Sequence, residues 1–409
     1  MLNHRVVITG RGAVSCYGLG LNNLFDNVWQ GHSGVKVMEQ WQAISGLTSF
    51  LAAPVPSFDA KKLLPRSLRR TMGGMAVNAA LAAREAVAEA GLDEDYLHSG
   101  DIGTAFGSTT GSPEIYEQLY RTLLFDKSIE PIKSGEFFKI MGHSCSANVM
   151  YSLGLKGEQW GPSSACTSSA QAIGLGYLLV GGGRQEAMIC GGADEVHHSV
   201  TTVFDVLQAA SKQNDSPQST PRPFDRDRDG VVCGGGAGAL VLETLESARN
   251  RGAAILAEIV GFGHVGDPGH IAHPDPDAMA RAMEKALSEA GLTGDEVDYV
   301  NGHATGTLQG DSAEAEAIAR IMGSSTPVSS CKGHMGHTLG AAGALESILS
   351  IEMMQRGELV PTLNLDQPGD DCKNIDLLGE LRPTTTNVIV KNSFAMGGVN
   401  VSIIFKRFG

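Results

Sequence analysis

Apolar positions follow two rhythms along this chain. Short runs rich in β-branched residues and punctuated by glycine occur at 5–10, 102–107, 186–194, 228–243 and 253–261. They read as buried strands, because they are short and bounded by turn residues. Further strands are predicted at 297–300, from 328, and as a hairpin-like pair over 388–405 around a Gly-Gly turn. Between them lie segments with apolar residues at helical spacing. Residues 72–90 stop at Gly91 and residues 277–290 stop at Gly291, a residue type that commonly closes a helix. Residues 171–180 run apolar to Gly181, and 341–355 form another helix. Strand, tight turn, helix, strand is the grammar of α/β crossovers, so the pattern predicts an α/β protein. Residues 211–223, rich in Ser, Gln, Asn, Asp and Pro, read as a loop.

The chain has 409 residues, enough for two domain-sized halves, and the strand–helix pattern restarts near 253. We divide it into 1–252 and 253–409. A faint echo accompanies the division: Ala170, Ala172, Arg184 and Glu186 recur in step as Ala342, Ala344, Arg356 and Glu358. Both segments are helices after a strand and a small-residue turn, as expected of a duplicated α/β unit.

Composition then narrows the function. A 42% hydrophobic content with 19% charged residues fits a folded chain with a large core. The net charge of −14 argues against nucleic acid as the main partner. One run opposes that acidity: Lys61, Lys62, Arg66, Arg69 and Arg70, which Lys127, Lys133 and Lys139 could extend. It is either a solvated helix face or a site for an anionic partner. The N-terminus lacks a signal-peptide pattern and no apolar stretch reaches about 18 residues, so a cytoplasmic protein without membrane insertion is expected. The seven cysteines are scattered without a CxxC pair, which predicts reduced thiols.

Two nucleotide signals fail on inspection. The segment Gly10-Arg-Gly-Ala-Val-Ser15 after the first strand has Ser15 where a dinucleotide fingerprint needs its third glycine, and no strand ending in an acidic residue follows. The glycine cluster at 234–238 lacks the Lys-Ser/Thr ending of a phosphate loop.

More telling is Gly161-Pro-Ser-Ser-Ala-Cys-Thr-Ser-Ser-Ala170, which sets one cysteine among small residues at the start of a helix. The free N–H groups of a first helical turn favour a thiolate and can face an oxyanion, although inert packing is the common fate of such a cysteine. Two more sites share this character. His303 lies in the polar loop 301–311 after a strand, and His337 lies in a second such loop, with Lys332 before it. Ligand sites in α/β proteins gather in loops of this kind. A nucleophilic thiol with two imidazoles fits acyl transfer or carbon–carbon bond formation on a thioester. His264, His270 and His273 crowd another loop, without the carboxylate or cysteine spacing of a metal site.

Four blocks together resemble the elongating β-ketoacyl-[acyl-carrier-protein] synthases: Ser-Ser-Ala-Cys-Thr-Ser-Ser, Asn-Gly-His-Ala-Thr-Gly-Thr with Gly310-Asp311, Lys-Gly-His-Met-Gly-His-Thr-Leu-Gly-Ala-Ala-Gly, and Asn-Ser-Phe-Ala-Met-Gly-Gly-Val-Asn. The resemblance spans essentially the whole chain. It implies a thiolase-like five-layered α-β-α-β-α fold from two related halves, in a homodimer or pseudo-symmetric heterodimer. It also implies that Cys166 takes the acyl chain and that His303 and His337 assist decarboxylation of a malonyl group. The N–H groups of Cys166 and Met396 would form the oxyanion hole, with Lys332 holding the electrostatics beside Glu346, and Asp311 in support. Thr305, Thr307 and His270, with Phe204, Val231, Phe394 and Met396, would line the path of phosphopantetheine and acyl chain. The basic run Lys61, Lys62, Arg66, Arg69 and Arg70 would then meet acyl carrier protein, which is small and acidic. No cofactor and no metal are implied.

Two departures stand out from the family's pattern. Its Gly-Phe-Gly-Gly turn is Ala395-Met396-Gly-Gly here, and its Arg-Asp-Gly-Phe is Arg228-Asp-Gly-Val231. A core that only needed filling could tolerate either change; we read instead a pocket reshaped for something other than an ordinary saturated chain, such as a polyene or aryl starter. A thiolase would need a second cysteine near the C-terminal Gly-Gly turn, and none follows Cys372. Starter-condensing synthases use Cys, His and Asn, whereas two motif histidines stand here. A catalytically silent chain-length factor is disfavoured because Cys166, His303, His337 and Lys332 are all kept.

Overall fold

A computed structural model, describing residues 2–409, shows one sequence of elements twice. The first unit runs β1 (Val6–Ser15), α1 (Gly74–Ala90), β2 (Ile102–Gly107), α2 (Ser144–Leu153), β3 (Gln159–Trp160), α3 (Ser168–Gly181), β4 (Ala187–Asp194) and β5 (Gly236–Thr244). The second runs β6 (Ala257–Gly266), α4 (Pro276–Ala290), β7 (Tyr299–Asn301), α5 (Leu308–Met322), β8 (Pro327–Ser329), α6 (Ala342–Arg356), β9 (Val388–Ala395) and β10 (Val399–Lys406).

Strand order matches as well. It is β3-β2-β4-β5-β1 in one unit and β8-β7-β9-β10-β6 in the other. In both, the first three strands run parallel and the last two pair antiparallel. The sheets meet where β1 and β6 pair antiparallel, with Val7 opposite Glu258. Helices α1 and α2 cover the outer face of the first sheet, and α4 and α5 that of the second. Helices α3 and α6 pack on each other between the sheets. The result is the expected five-layered α-β-α-β-α fold.

Close packing explains glycines that mislead in the sequence. Gly10 and Gly12 lie inside the ten-residue strand β1, not in a turn after it. A Cβ on either would strike the backbone oxygens of Ala86 or Ala82 in α1. Gly261 and Gly263 of β6 face Ala286 and Ala282 of α4 in the same manner. Both strands slip register at the same place, between Ile8 and Gly10 and between Ile259 and Gly261. Glycine here lets a helix approach a strand closely.

The faint echo in the sequence is out of step with this repeat. Ser168 and Ala342 open the matching helices, so Ala170 corresponds to Ala344. Its identities are coincidental, although the duplication is real. Helices at Pro113–Leu124, Ser134–Lys139, α2 and His198–Val206 carry no clear signal in the sequence reading. No helix among the described residues is long and apolar enough to cross a membrane. All seven cysteines are free and buried.

Candidate active site

Cys166 sits in a single 3-10 turn, Ala165–Thr167, that leads into α3. Ala165 has φ of 49°, a left-handed conformation that costs a non-glycine residue on the order of 1 kcal/mol. The hydroxyls around it hold the bend. Ser168 Oγ donates to Ala165 O at 2.7 Å and accepts from Ser164 N at 3.0 Å, while Thr167 Oγ1 donates to Ser164 O at 2.7 Å. Burial pushes the Cys166 thiol up to about 12, with the charge of Lys332 opposing and Asp194 adding to the rise. The thiolate expected from the helix start is thus corrected by burial: at rest the group is a thiol, and its proton needs an acceptor.

Two imidazoles stand close by. His303 follows β7 and His337 precedes α6, and Cys166 Sγ lies within 4.8 Å of a ring nitrogen of each, as those nitrogens do of one another. The two imidazoles meet edge to face, 5.1 Å between centroids. His337 Nδ1 accepts the Leu339 N–H at 3.3 Å. Its neutral tautomer therefore carries the proton on Nε2, which is buried without a partner and free to donate. His303 Nδ1 is likewise buried and unpartnered. Burial, then the charge of Lys332, drives both rings well below the ordinary imidazole range, so both are neutral at pH 7.

Carboxylates on α5 hold the His303 loop. Glu314 accepts the N–H groups of His303 at 2.8 Å and Ala304 at 2.7 Å. Asp311, one turn earlier, accepts those of Thr305 at 3.0 Å, Gly306 at 3.2 Å and Phe224 at 2.8 Å. Burial raises Asp311 to about 7, against those hydrogen bonds and Arg228. Lys332 is fully buried and meets Glu346 Oε1 at 2.6 Å, as the resemblance implied. Opposite, Asp194 at the end of β4 accepts from Ser108 Oγ at 2.7 Å and from Gly340 N at 2.6 Å, tying the loop after β2 to the turn before α6.

The expected lining residues come together. Thr305, Thr307, His270, Phe204, Val231, Phe394 and Met396 line one cavity together with Cys166, His303 and His337. Val231 is buried, whereas Met396 is 38% exposed at the rim. Strand β9 packs on the Cys166 turn and so brings the turn carrying Met396 beside it. A contact absent from the sequence reading is the seam over this turn. Gly397 N donates to Ile271 O and Asp267 N to Gly398 O, both at 2.8 Å, so the histidine-rich loop is stitched to the Met396 turn.

That loop does not gather a metal set. His270 stacks on His273 with centroids 4.0 Å apart, and His264 meets Gln171 instead. Outside the cavity, Glu117 Oε2 meets Nε2 of His197 at 3.0 Å and of His198 at 2.9 Å, while Arg121 holds Oε1 at 2.8 Å. These groups already satisfy one another as hydrogen-bond partners. The basic run spans two short helices, Ala60–Leu63 and Arg66–Arg69, with Arg70 capping the second. Arg66, Arg69 and Arg70 share a groove with Lys133 and Lys139, the latter paired with Glu136 at 3.1 Å. Glu314, Asn392, Asp194 and Lys391 were missed as site residues; an acidic pair one helical turn apart after a polar loop was the available signal for Glu314.

Comparison with known proteins agrees with this geometry. Residues 3–248 match the family profile "Beta-ketoacyl synthase, N-terminal domain", and residues 256–366 match "Beta-ketoacyl synthase, C-terminal domain". The 3-oxoacyl-[acyl-carrier-protein] synthase 2 of Vibrio cholerae is 35% identical over 418 residues, covering 100% of both chains. A β-ketoacyl synthase crystal structure from Burkholderia phymatum superposes with a TM-score of 0.96 at 42% identity, over 99% of this chain and 100% of that one. The AntDE:AntF complex, described as a type II PKS acyl-carrier protein with its ketosynthase bound to the hexaketide, matches with a TM-score of 0.90 at 28% identity over 100% of both chains.

Proposed function

This chain belongs to the β-ketoacyl synthase family, and we propose how its residues divide the work of that family's reaction. The reaction is decarboxylative condensation of an enzyme-bound acyl chain with malonyl-[acyl-carrier protein], giving 3-oxoacyl-[acyl-carrier protein] and carbon dioxide. Cys166 Sγ attacks the thioester of an incoming acyl-carrier protein and forms the acyl–cysteine bond. The thiol proton passes to a neutral imidazole and then to the departing phosphopantetheine sulfur.

Malonyl-carrier protein then enters. Its carboxylate leaves as carbon dioxide while its thioester oxygen gains charge, which the donors on His303 and His337 stabilise. The resulting carbanion attacks the acyl–cysteine carbonyl. The N–H groups of Cys166 and Met396 hold the oxyanion, and its collapse expels the Cys166 sulfur, which takes up a proton from solvent to restore the thiol. The observation that carries this assignment is the convergence of Sγ and two neutral imidazoles within 4.8 Å. It also disfavours a silent chain-length-factor role, which needs neither the thiol nor the imidazoles. Intact-mass spectrometry of Cys166→Ala after incubation with acyl-carrier protein is the test. Loss of the acyl adduct is expected, and an unchanged adduct would remove Cys166 from the mechanism.

Further parts of the proposal concern partners and substrate. Acyl carrier protein docks on the basic groove of Arg66, Arg69 and Arg70, and Lys61 and Lys62 extend the positive field. A second, similar chain covers β3 and the exposed apolar residues Leu124, Phe125, Ile129 and Phe137. A cytoplasmic setting suits seven unpaired thiols. Val231 and Met396, in place of aromatic residues, shape the cavity for a rigid unsaturated or aryl starter. A mass-spectrometric survey of saturated, polyenoyl and aryl carrier proteins checks this; elongation of saturated chains alone contradicts it.

A further inference from the structure

In the middle of β9, between β7 and β10, stands a lysine with no solvent exposure at all. Removing an ammonium group from water is costly unless oxygen atoms replace its hydration. Lys391 has such a cage. Its Nζ donates to Asn392 O and to Ser393 Oγ, the latter at 2.7 Å, and lies 2.7 Å from Glu346 Oε2. Two oxygens accept from its N–H groups, and the carboxylate of Glu346 stands at ion-pair distance. Because Glu346 Oε1 already holds Lys332, one carboxylate on α6 bridges two buried lysines.

We propose that Lys391 is a positioning residue of this site: its ammonium group fixes the Glu346–Lys332 pair and ties it to the strand that ends in the Met396 turn. The inference rests on the condensation assigned above and adds a group which that assignment does not use. Two of the cage oxygens belong to Asn392 and Ser393, a few residues before the turn whose N–H is assigned to the oxyanion hole. Asn392 in turn donates to Glu314 at 3.2 Å, and Glu314 holds the His303 backbone. One ammonium thus joins the parts that must keep register: β9, the Lys332–Glu346 pair and, through Asn392, the His303 loop.

Its charge also reaches the imidazoles. Facing the cluster are Lys332 beside α6, Glu346 on α6, Glu314 on α5, Tyr299 on β7, Cys331, and the rings of His303 and His337. Lys391 opposes protonation of both rings, after burial and Lys332. A neutral residue there should make them easier to protonate. If catalysis needs neutral imidazoles, activity should then fail at a higher pH.

The test uses the full-length protein with acyl- and malonyl-carrier proteins, with wild type and Cys166→Ala run alongside. Lys391→Met should lower kcat about 10- to 100-fold, the size common when a group that orients a working side chain is lost, with a smaller change in KM. The acidic limb of its kcat/KM profile should move up by about 1 pH unit, a tenfold change in the proton equilibrium. Lys391→Ala, which leaves room in the cage, should regain activity saturably with methylammonium chloride but not with sodium chloride. Wild-type kcat and pH limb in Lys391→Met overturn the proposal, as does a Lys391→Ala defect indifferent to methylammonium. Should Lys391→Met not fold, the Lys391→Ala rescue decides alone. A wild type that fails to condense, or a Cys166→Ala variant that still loads, points instead to failure of the condensation assignment.

Discussion

The fifth residue of α3 is Ala172 and the fourth of β4 is Cys190, both in the apolar core; the matching places in α6 and β9 hold Glu346 and Lys391. The loop after β2 likewise carries Ser108 and Thr109 where the loop after β7 carries His303. Two units with one topology therefore do different work. The first is an apolar scaffold that bends one cysteine into position. The second holds a buried polar network behind two histidines. A repeated fold dictates where loops converge, whereas the residues placed there decide which unit, in the mechanism proposed above, supplies the nucleophile and which supplies charge.

Making the second unit resemble the first should have the largest effect. Glu346→Ala leaves Lys332 and Lys391 buried without their carboxylate and should destabilise the protein by roughly 3–5 kcal/mol, read from denaturant unfolding. Stability equal to wild type would mean that the network is not closed around Glu346. Next comes the chemistry. His337→Ala should reduce condensation by about 10²–10⁴-fold while acyl loading of Cys166 survives. Because both rings are held neutral well below the ordinary imidazole range, wild-type condensation should persist as pH falls through about 6.5 and fail only further down. A loss centred at that ordinary value would contradict the burial argument.

Smaller effects belong to the surface and the pocket. Reversing Arg66 and Arg70 to Glu should raise KM for carrier protein about tenfold at low salt, a penalty that shrinks as salt is added. An unchanged salt dependence would locate docking elsewhere. Val231→Phe should shift the ratio of kcat/KM between bulky and saturated acyl chains by about tenfold, since pocket shape alone discriminates by roughly 1–3 kcal/mol.

Much of this was legible in the sequence, for identifiable reasons. Helices α1 and α4 showed themselves by apolar spacing and the glycines that close them. Cys166, His303 and His337 stood out because polar and small residues interrupt apolar runs at places no core requires. What stayed hidden depends on contacts across the chain. Gly10 and Gly12 looked like a turn because a strand packed against a helix backbone leaves the same glycine signature. The state of Cys166 misled because the pull of a helix start is visible in sequence, while the burial that outweighs it is not. Lys391 reads as a charge interrupting a strand until Glu346, far away in the chain, is seen beneath it.

Division of labour between the units is tested most directly by separating the two half-reactions. Acyl loading is followed by intact mass, and carbon dioxide release from malonyl-carrier protein is followed in parallel, for wild type, Cys166→Ala and His303→Ala. The proposed mechanism predicts that Cys166→Ala loses loading but still decarboxylates, and that His303→Ala still loads, more slowly because a proton acceptor is gone, but no longer decarboxylates. Parallel loss of both half-reactions in each variant, or decarboxylation undiminished in His303→Ala, would contradict it.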